Sequence, residues 1–469
     1  MGLVQCPCAM LTAIPFLVFC TNVSALFTNI AELEPSTALY KCPTDPCDRH
    51  QIVWTGDVLL ADAGYSRKLL QERGLDFPFA KLRALLSADY VIGNCEGPIT
   101  SRSQALDTTQ HWTYNMIPEV ASVLRQVGFS AMGFANNHAF DRGLDGFIDS
   151  EKHMQDAGLA TFGAGSSGST AHRPLLIDTP FGKVGVVALF HNTGRAKTLK
   201  SRLKAERHEP GTAWLTRGAI VRAKKKARKL GAKWIVAFVH WGTNYKGNIL
   251  GGQTRAAGYF SQAGYDLVVG HGPHTLQSVE RIGKTWILYS LGNFVFTTGG
   301  RYAQKNALGH GLVARTYLGP AGFEGVELSC IATDNANVHY QPRICTKAEQ
   351  EKVFISLGPD VLVEEGLGHI RLTLPVAATV SHHSAESVRS TISWPAGDEQ
   401  SMDDGSYKPG GVSVLSKLSV AESKVRATKT SQQQRRRRRS PGAAHNTERH
   451  TPRRGHHGRR RLKSGIDTK

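Results

Sequence analysis

No run of 18 consecutive apolar residues occurs in this 469-residue chain, so no segment reads as a membrane-spanning helix. No Cys-x-x-Cys pair occurs either, which removes the usual structural zinc knuckle. Aromatic residues make up only 8%, too few for the whole length to be packed core. Nothing repeats with a period of roughly 20–50 residues, so a solenoid is excluded. Acids are outnumbered, with a net charge of +19, but the imbalance is local. Residues 408–469 carry 18 Lys and Arg against the three acids Glu422, Glu448 and Asp467, which leaves +4 for residues 1–407. The basic character therefore belongs to a tail and gives no argument for nucleic-acid binding by the folded part. Within that tail Arg435–Arg439 and Arg459–Arg461 have no interleaved aromatics, so sequence-specific nucleic-acid reading is not expected. Polyanion binding by counterion release and a merely solvated tail are the two readings left.

At the other end an apolar stretch, Ala9–Cys20, is followed by Val23-Ser24-Ala25. It is too short to span a bilayer and reads as a cleaved secretory signal, residues 1–25, which makes the protein secreted or extracytoplasmic. Were that signal not functional, the arginine runs would serve as a nuclear address. Removing it leaves five of eight cysteines, and pairs Cys42–Cys47 and Cys330–Cys345 with a lone thiol at Cys95 are expected. The domain plan is an extension over residues 26–49, one compact domain over 50–357 and a largely disordered basic tail over 358–469, where apolar residues are too sparse to offset chain entropy.

Between residues 50 and 300 one pattern recurs: a helical stretch, a glycine, a short β-branched run, then a polar cluster. "PEVASVLRQVGFSAMGFANNH" shows it, and so do "KKKARKLGAKWIVAFVHWG" and "FSQAGYDLVVGHGPH". Such alternation predicts an α/β domain with a largely parallel, buried sheet. Turns at Phe181-Gly182-Lys183 and Gly283-Lys284 add two hairpins, so a mixed sheet is predicted.

The strand ends carry the chemistry. Ile52–Thr55 runs into Gly56-Asp57, Tyr90–Ile92 into Asn94 and Glu96, and Phe129–Phe134 into Asn136, Asn137, His138 and Asp141. Trp234–Val239 ends on His240, and Asp266–Val269 on His271 and His274. Carboxyl ends of parallel strands share one edge and form a ligand crevice, so five strands would deliver carboxylates, an amide and imidazoles to one place. Oxygen ligands mixed with neutral imidazoles suit one or two divalent ions, Mn, Fe or Zn. His138, with Asp141 near enough to fix its tautomer, is arranged as a general acid. Each piece has a blander reading: a strand-terminal Gly-Asp is a common turn, and Asn-Asn-His can be an Asx turn capping the next helix.

The stretches "GDVLL", "NCEGPIT", "GFANNHAFDRGLDGF", "FVHWGTNY", "VVGHGPHTLQSVE" and "ILYSLGNFVF" follow one another as in the bacterial capsule synthesis protein CapA family, associated with poly-γ-glutamate, which the chain resembles over about residues 50–300. That family in turn resembles the calcineurin-like metallophosphoesterases. The resemblance implies an α-β-β-α sandwich with mixed sheets and a metal site. It implies Asp57, Glu96, Asn137, His240 and His274 as ligands, with His271 a further candidate, and His138 with Asp141 as the acid and its partner. Asn94, Asn136, Trp241, Tyr245, Gln277 and Asn293 are candidate substrate contacts. Leu59 stands where the superfamily's opening Asp-x-His has its histidine, so one firmly held metal is expected. The function expected is a metal-dependent hydrolase acting on an acidic polymer such as poly-γ-glutamate, with a metal-bound hydroxide as nucleophile. A non-catalytic polyanion-binding protein and a phosphoesterase of unknown substrate are the alternatives.

Overall fold

The computed structural model describes residues 48–110, 112–192 and 204–372. Two β-sheets lie face to face, and helices cover the outer side of each, an α-β-β-α sandwich with mixed sheets. In the larger sheet the strands His50–Val58, Tyr90–Cys95, Ala131–Gly133 and Ala160–Phe162 run parallel. The long hairpin His310–Gly319 and Gly322–Ala332 pairs antiparallel onto the first of them. In the smaller sheet Lys183–Phe190, Ala232–His240, Leu267–His271 and Thr285–Leu291 are parallel. Leu175–Ile177 and Leu276–Ile282 close its two edges as the hairpins predicted at Gly182 and Gly283.

A two-residue period in the sequence sorts each strand between two cores. Along Ala232–His240, Trp234, Val236 and Phe238 enter the core between the sheets. Ile235, Ala237 and Val239 enter the layer under the helices Arg217–Lys229 and Gly251–Ala263. Arg217–Lys229 meets that layer with Ala219, Ile220, Ala223 and Ala227, a stripe at helical spacing. The Thr216 hydroxyl caps its start, and Lys226, Arg228 and Lys229 crowd its last turn, where cations suit the dipole. On the other flank Leu70, Leu124, Phe147 and Met154 bring three helices onto Val53, Val91 and Met132 of the larger sheet.

Several expectations are corrected. The strands that end on polar residues do not share one sheet: three belong to the larger and two to the smaller. Four run further than the β-branched segments imply, so Asp57, Asn94, His240 and His271 are strand residues, because buried polar partners replace the apolar contacts used to mark strand ends. The fifth is shorter, Ala131–Gly133. The fold also does not close at residue 357. Leu362–Glu364 and Leu367–Arg371 form a further hairpin on the strand Gly322–Ala332, through a stretch too short and charged to show periodicity.

Cys330 and Cys345 are disulfide-bonded, and Cys95 is a buried free thiol whose acidity burial suppresses. The signal segment, the Cys42–Cys47 pair and the arginine runs lie outside the described residues. No helix among the described residues is long and apolar enough to cross a membrane.

The helix Lys347–Leu357 is anchored by a capping box, Thr346 with Glu349, and by Arg343, which donates to both Glu349 oxygens at 2.7 and 2.9 Å. These donors, Arg343 foremost, hold the Glu349 carboxyl down to about 2 against an ordinary 4.5. A depressed pKa stabilises the fold above the unfolded value and loses that contribution as pH falls through the folded one. The melting-temperature gap between wild type and Glu349→Gln should therefore be present at neutral pH and shrink between about pH 4.5 and 2. A gap constant over that window would refute this anchoring.

Candidate metal centre

Asp57 reaches the site through an irregularity. Its strand pairs Trp54 with Ile92 and then Asp57 with Asn94, three residues against two, so one extra residue is accommodated at Thr55-Gly56. Trp54 faces the inter-sheet core, and strict alternation would turn residue 57 to the opposite side. The extra residue brings Asp57 back to the inner face, while Val58 joins the outer core. Gly56 makes this possible, because a Cβ there would run into the carbonyl oxygen of Gly292.

The fully buried Asp57 carboxylate is held from several directions. Asn94 Nδ2 donates to Oδ1 at 2.9 Å and the Gly272 amide to Oδ2 at 3.2 Å. His271 Nδ1 lies 3.2 Å from Oδ1 and His274 Nδ1 3.1 Å from Oδ2. His240 and His271 end adjacent parallel strands, and their Nδ1 atoms face each other at 3.1 Å. His274 sits in a loop with a left-handed backbone, φ 56°, fixed by Asn293 Oδ1 at 2.9 Å from its Nδ1. Glu96, also fully buried, has Oε1 3.5 Å from His274 Nε2, too long for a good hydrogen bond.

Two groups thus have ligand atoms within 4.8 Å of one another, Asp57 with His240 and His271, and Asp57 with Glu96 and His274. Their chemistry fits a cation. The separations of 3.1–3.2 Å around Asp57 are those of atoms that share one ion as ligands at about 2.1 Å. Glu96 Oε1 is buried without a hydrogen-bond partner, as a ligand atom awaiting an acceptor of lone pairs would be. Burial opposes ionisation of Asp57, but the imidazoles of His271 and His274 outweigh it and hold the carboxyl well below its ordinary range. Burial, and then the neighbouring Asp57 charge, push Glu96 well above its range. Burial, with His271 beside it, keeps His240 neutral and so able to coordinate. A third group, His310, Cys345 and Glu349, lacks a free thiolate because Cys345 is bonded to Cys330.

The His138–Asp141 pair lies beside the cluster. His138 Nδ1 is 2.7 Å from Asp141 Oδ2, which also accepts from the Tyr114 amide at 2.7 Å. An acceptor on Nδ1 assigns the proton there and frees Nε2. Asn136 ties this turn to the cluster: its Nδ2 donates to Asn94 Oδ1 at 3.0 Å and to the Cys95 carbonyl at 2.8 Å, and its Oδ1 accepts from the His138 amide at 2.9 Å.

The candidate substrate contacts divide. Asn94 and Asn136 are buried with both ends of their amides engaged, so they orient ligands rather than face a substrate. Asn293 is likewise occupied by His274 and Tyr302. Gln277 fastens a loop by donating to the Lys246 and Asn248 carbonyls at 3.0 Å each. Trp241 follows His240 just past the strand's end and points the other way, into the helix-side core, where it donates its N–H to the Tyr289 carbonyl at 2.7 Å. The buried Tyr245 hydroxyl has only the Arg301 guanidinium beside it. Asn137 is half-buried and makes no hydrogen bond to these groups among the described residues, which leaves its amide available. Sequence reasoning missed Tyr114, whose ring lies 4.2 Å from that of His138, and Arg301, near Tyr114 and Tyr245. Neither follows a parallel strand, which was the only signal used.

Residues 51–298 match the family profile described as bacterial capsule synthesis protein PGA_cap, a span that includes every residue of the cluster. The PGA biosynthesis protein CapA of Bacillus subtilis is 30% identical over 256 residues, 54% of this chain and 65% of that protein. The capsule biosynthesis protein CapA of Bacillus anthracis is 28% identical over 261 residues, 54% of this chain and 61% of that one. The match therefore spans less than two thirds of the length of these relatives. Among solved structures, the NAD nucleotidase of Haemophilus influenzae aligns with a TM-score of 0.35 at 10% identity, over 66% of this chain and 55% of that one.

The close approach at Gly56 has a direct test. Gly56→Ala should destabilise the fold by about 3 kcal/mol or more, since backbone and not a flexible side chain blocks the methyl group. Gly258→Ala, in a helix with open space around it, should be neutral or stabilising by about 0.5–1 kcal/mol. Denaturant midpoints of the two variants check this, and equal midpoints would contradict it.

Proposed function

This chain belongs to the bacterial capsule synthesis protein PGA_cap family, and from that premise we propose that it serves the synthesis or processing of an acidic polymer of the poly-γ-glutamate type, outside the cytoplasm, through a metal-dependent hydrolytic centre. The observation that carries this reading is the convergence of Asp57, Glu96, His240, His271 and His274 on one buried cluster, with the unpartnered Glu96 Oε1 and a histidine–aspartate pair alongside.

Those five side chains, with the Asn137 amide as a further candidate, would hold a divalent cation, Mn, Fe or Zn. Asp57 belongs to both groups of ligands, so it would be the shared residue whichever group holds the ion, and Leu59 leaves one position poorer in imidazole. The cation would supply positive charge that polarises an oxygen of substrate or water. The rest falls to the protein. Asp57 is kept ionised by His271 and His274, and the Gly272 amide and Asn94 hold it in place. Asp141 fixes the His138 ring so that Nε2 can deliver a proton to a leaving group. The fully buried Asn94 and Asn136 couple that ring to the ligands and resist its reorientation.

The test separates binding from chemistry. The purified full chain, loaded and dialysed, should retain metal measurable by elemental mass spectrometry, and Asp57→Asn and His240→Ala should lower that content about tenfold or more. His138→Asn should retain metal yet cut turnover of poly-γ-glutamate or a phosphoester about 10²–10⁴-fold. A folded wild-type protein that holds no metal would end the reading.

A further inference from the structure

Arg301 stands at the start of the short helix Arg301–Lys305, just past the residues that match the family profile. The other arginines fixed in this fold have acceptors: Arg343 has Glu349, Arg102 has Asp149, and Arg315 has Gln51 and two backbone carbonyls. Arg301 is the exception among these. Its guanidinium has five donors, yet among the described residues it meets only two neutral hydroxyls, that of Tyr114 at 3.5 Å from Nη1 and that of Tyr245. Its Nε is buried with no partner, and no carboxylate of the described residues lies within ion-pair distance. A buried donor left unmade costs about 1–3 kcal/mol, and a charged one more. The group is nevertheless held in place, since its guanidinium carbon lies 4.0 Å above the Trp112 ring.

A second underused group stands beside it. Tyr245 is only 5% exposed, its buried hydroxyl has no partner but the Arg301 guanidinium, and its backbone takes a left-handed φ of 60°. Its ring lies 5.7 Å from that of His274, while the Tyr114 ring lies 4.2 Å from that of His138. The two tyrosines thus connect the guanidinium to both halves of the site, the ligands and the proton donor. Arg301 is also close enough for its charge to act on Glu96. Trp112, 41% exposed, marks the solvent side.

We propose that Arg301 and Tyr245 form an oxyanion-recognition site at the lip of the Asp57 cluster, where a substrate presents a carboxylate or phosphate group while its scissile bond lies over the cluster and His138. A planar guanidinium offers paired donors that fit either anion, and the hydroxyl supplies a third from the side. The buried Arg301 Nε and the uncompensated guanidinium charge are then satisfied by the ligand, and neutral analogues are rejected because they would leave that charge buried without a counter-charge. The inference rests on the reading of the cluster as a reaction centre for where the rest of the substrate goes, but the anion site has its own readout.

The experiment is calorimetric titration of the full chain with glutarate, inorganic phosphate and the neutral glutaramide, with metal content measured on the same samples. Wild type should bind at least one of the two anions and discriminate against glutaramide; the tighter anion identifies a carboxylate or a phosphate substrate. Arg301→Met should weaken that anion about tenfold or more, and Arg301→Lys should weaken it less, because a point charge replaces a two-pronged donor. Tyr245→Phe should cost about three- to tenfold. Metal content should be unchanged in all three variants. Binding by Arg301→Met and Arg301→Lys equal to wild type, absence of anion binding in the wild type, or glutaramide binding as tightly as glutarate would each overturn the proposal. A wild type that binds the anion but no metal would instead sink the metal-centre reading and leave the recognition site standing.

Discussion

The geometry of the centre depends on one residue's worth of slack in the strand His50–Val58. A regular strand would send residue 57 into the helix-side core, where an ionised carboxylate would be ruinous, and would leave the inner edge without its shared acceptor. The three-against-two pairing at Thr55-Gly56 re-phases the chain so that Asp57 meets Asn94, His271, His274 and the Gly272 amide at once. The cost is a glycine wedged against the Gly292 carbonyl. The Asp57 amide donates to that same carbonyl at 3.2 Å, so the contact that forbids a side chain at position 56 also fixes the backbone of position 57. "Gly-Asp" is therefore a single structural unit in this fold and not a turn followed by a ligand.

The electrostatics follow from burial. Two carboxylates with no exposed surface lie beside three imidazoles, and the balance among them is unequal: Asp57 is held ionised while Glu96 is driven toward its neutral form. Like charges in a low-dielectric interior cannot both persist without a counter-charge. A divalent cation relieves the conflict at its source, because it favours the charged form of Glu96 and the neutral form of each histidine together. The same conflict explains why so many of the surrounding polar groups are amides. Asn94, Asn136 and Asn293 can donate to a carboxylate and accept from a neighbour without adding a charge of their own.

Much of this was legible in the sequence. Polar residues at the ends of apolar runs pointed to Asp57, Glu96, His138, His240, His271 and His274, and the structure gathers all of them. What periodicity could not show was how many sheets the runs belong to, because a run buried on both faces reads the same in one sheet or two. Nor could proximity to a motif separate ligands from their supports. His240 and Trp241 are neighbours in sequence and share a motif, yet they point opposite ways, one inward to Asp57 and the other outward to Phe260 and Tyr289. Arg301 was invisible for a different reason: it lies in a glycine-flanked stretch with no period, and only the fold brings it to the cluster.

Because the clustered side chains come from two sheets, the core between those sheets also sets the geometry of the cluster. Phe238 is the wedge. Its ring contacts Trp54 at 6.2 Å and Phe162 at 6.0 Å across the sandwich, and lies 4.4 Å from the His271 ring. Trp54 belongs to the strand that carries Asp57, and Phe238 to the one that carries His240. The distance between the carboxylate and the two imidazoles is thus the distance between two sheets held apart by aromatic packing. Close-packed interiors transmit a lost ring as displacement and not only as lost contact energy. A core residue outside the cluster therefore acts on its spacing, and the stability of the sandwich and the geometry of the cluster are one property of the same aromatic stack.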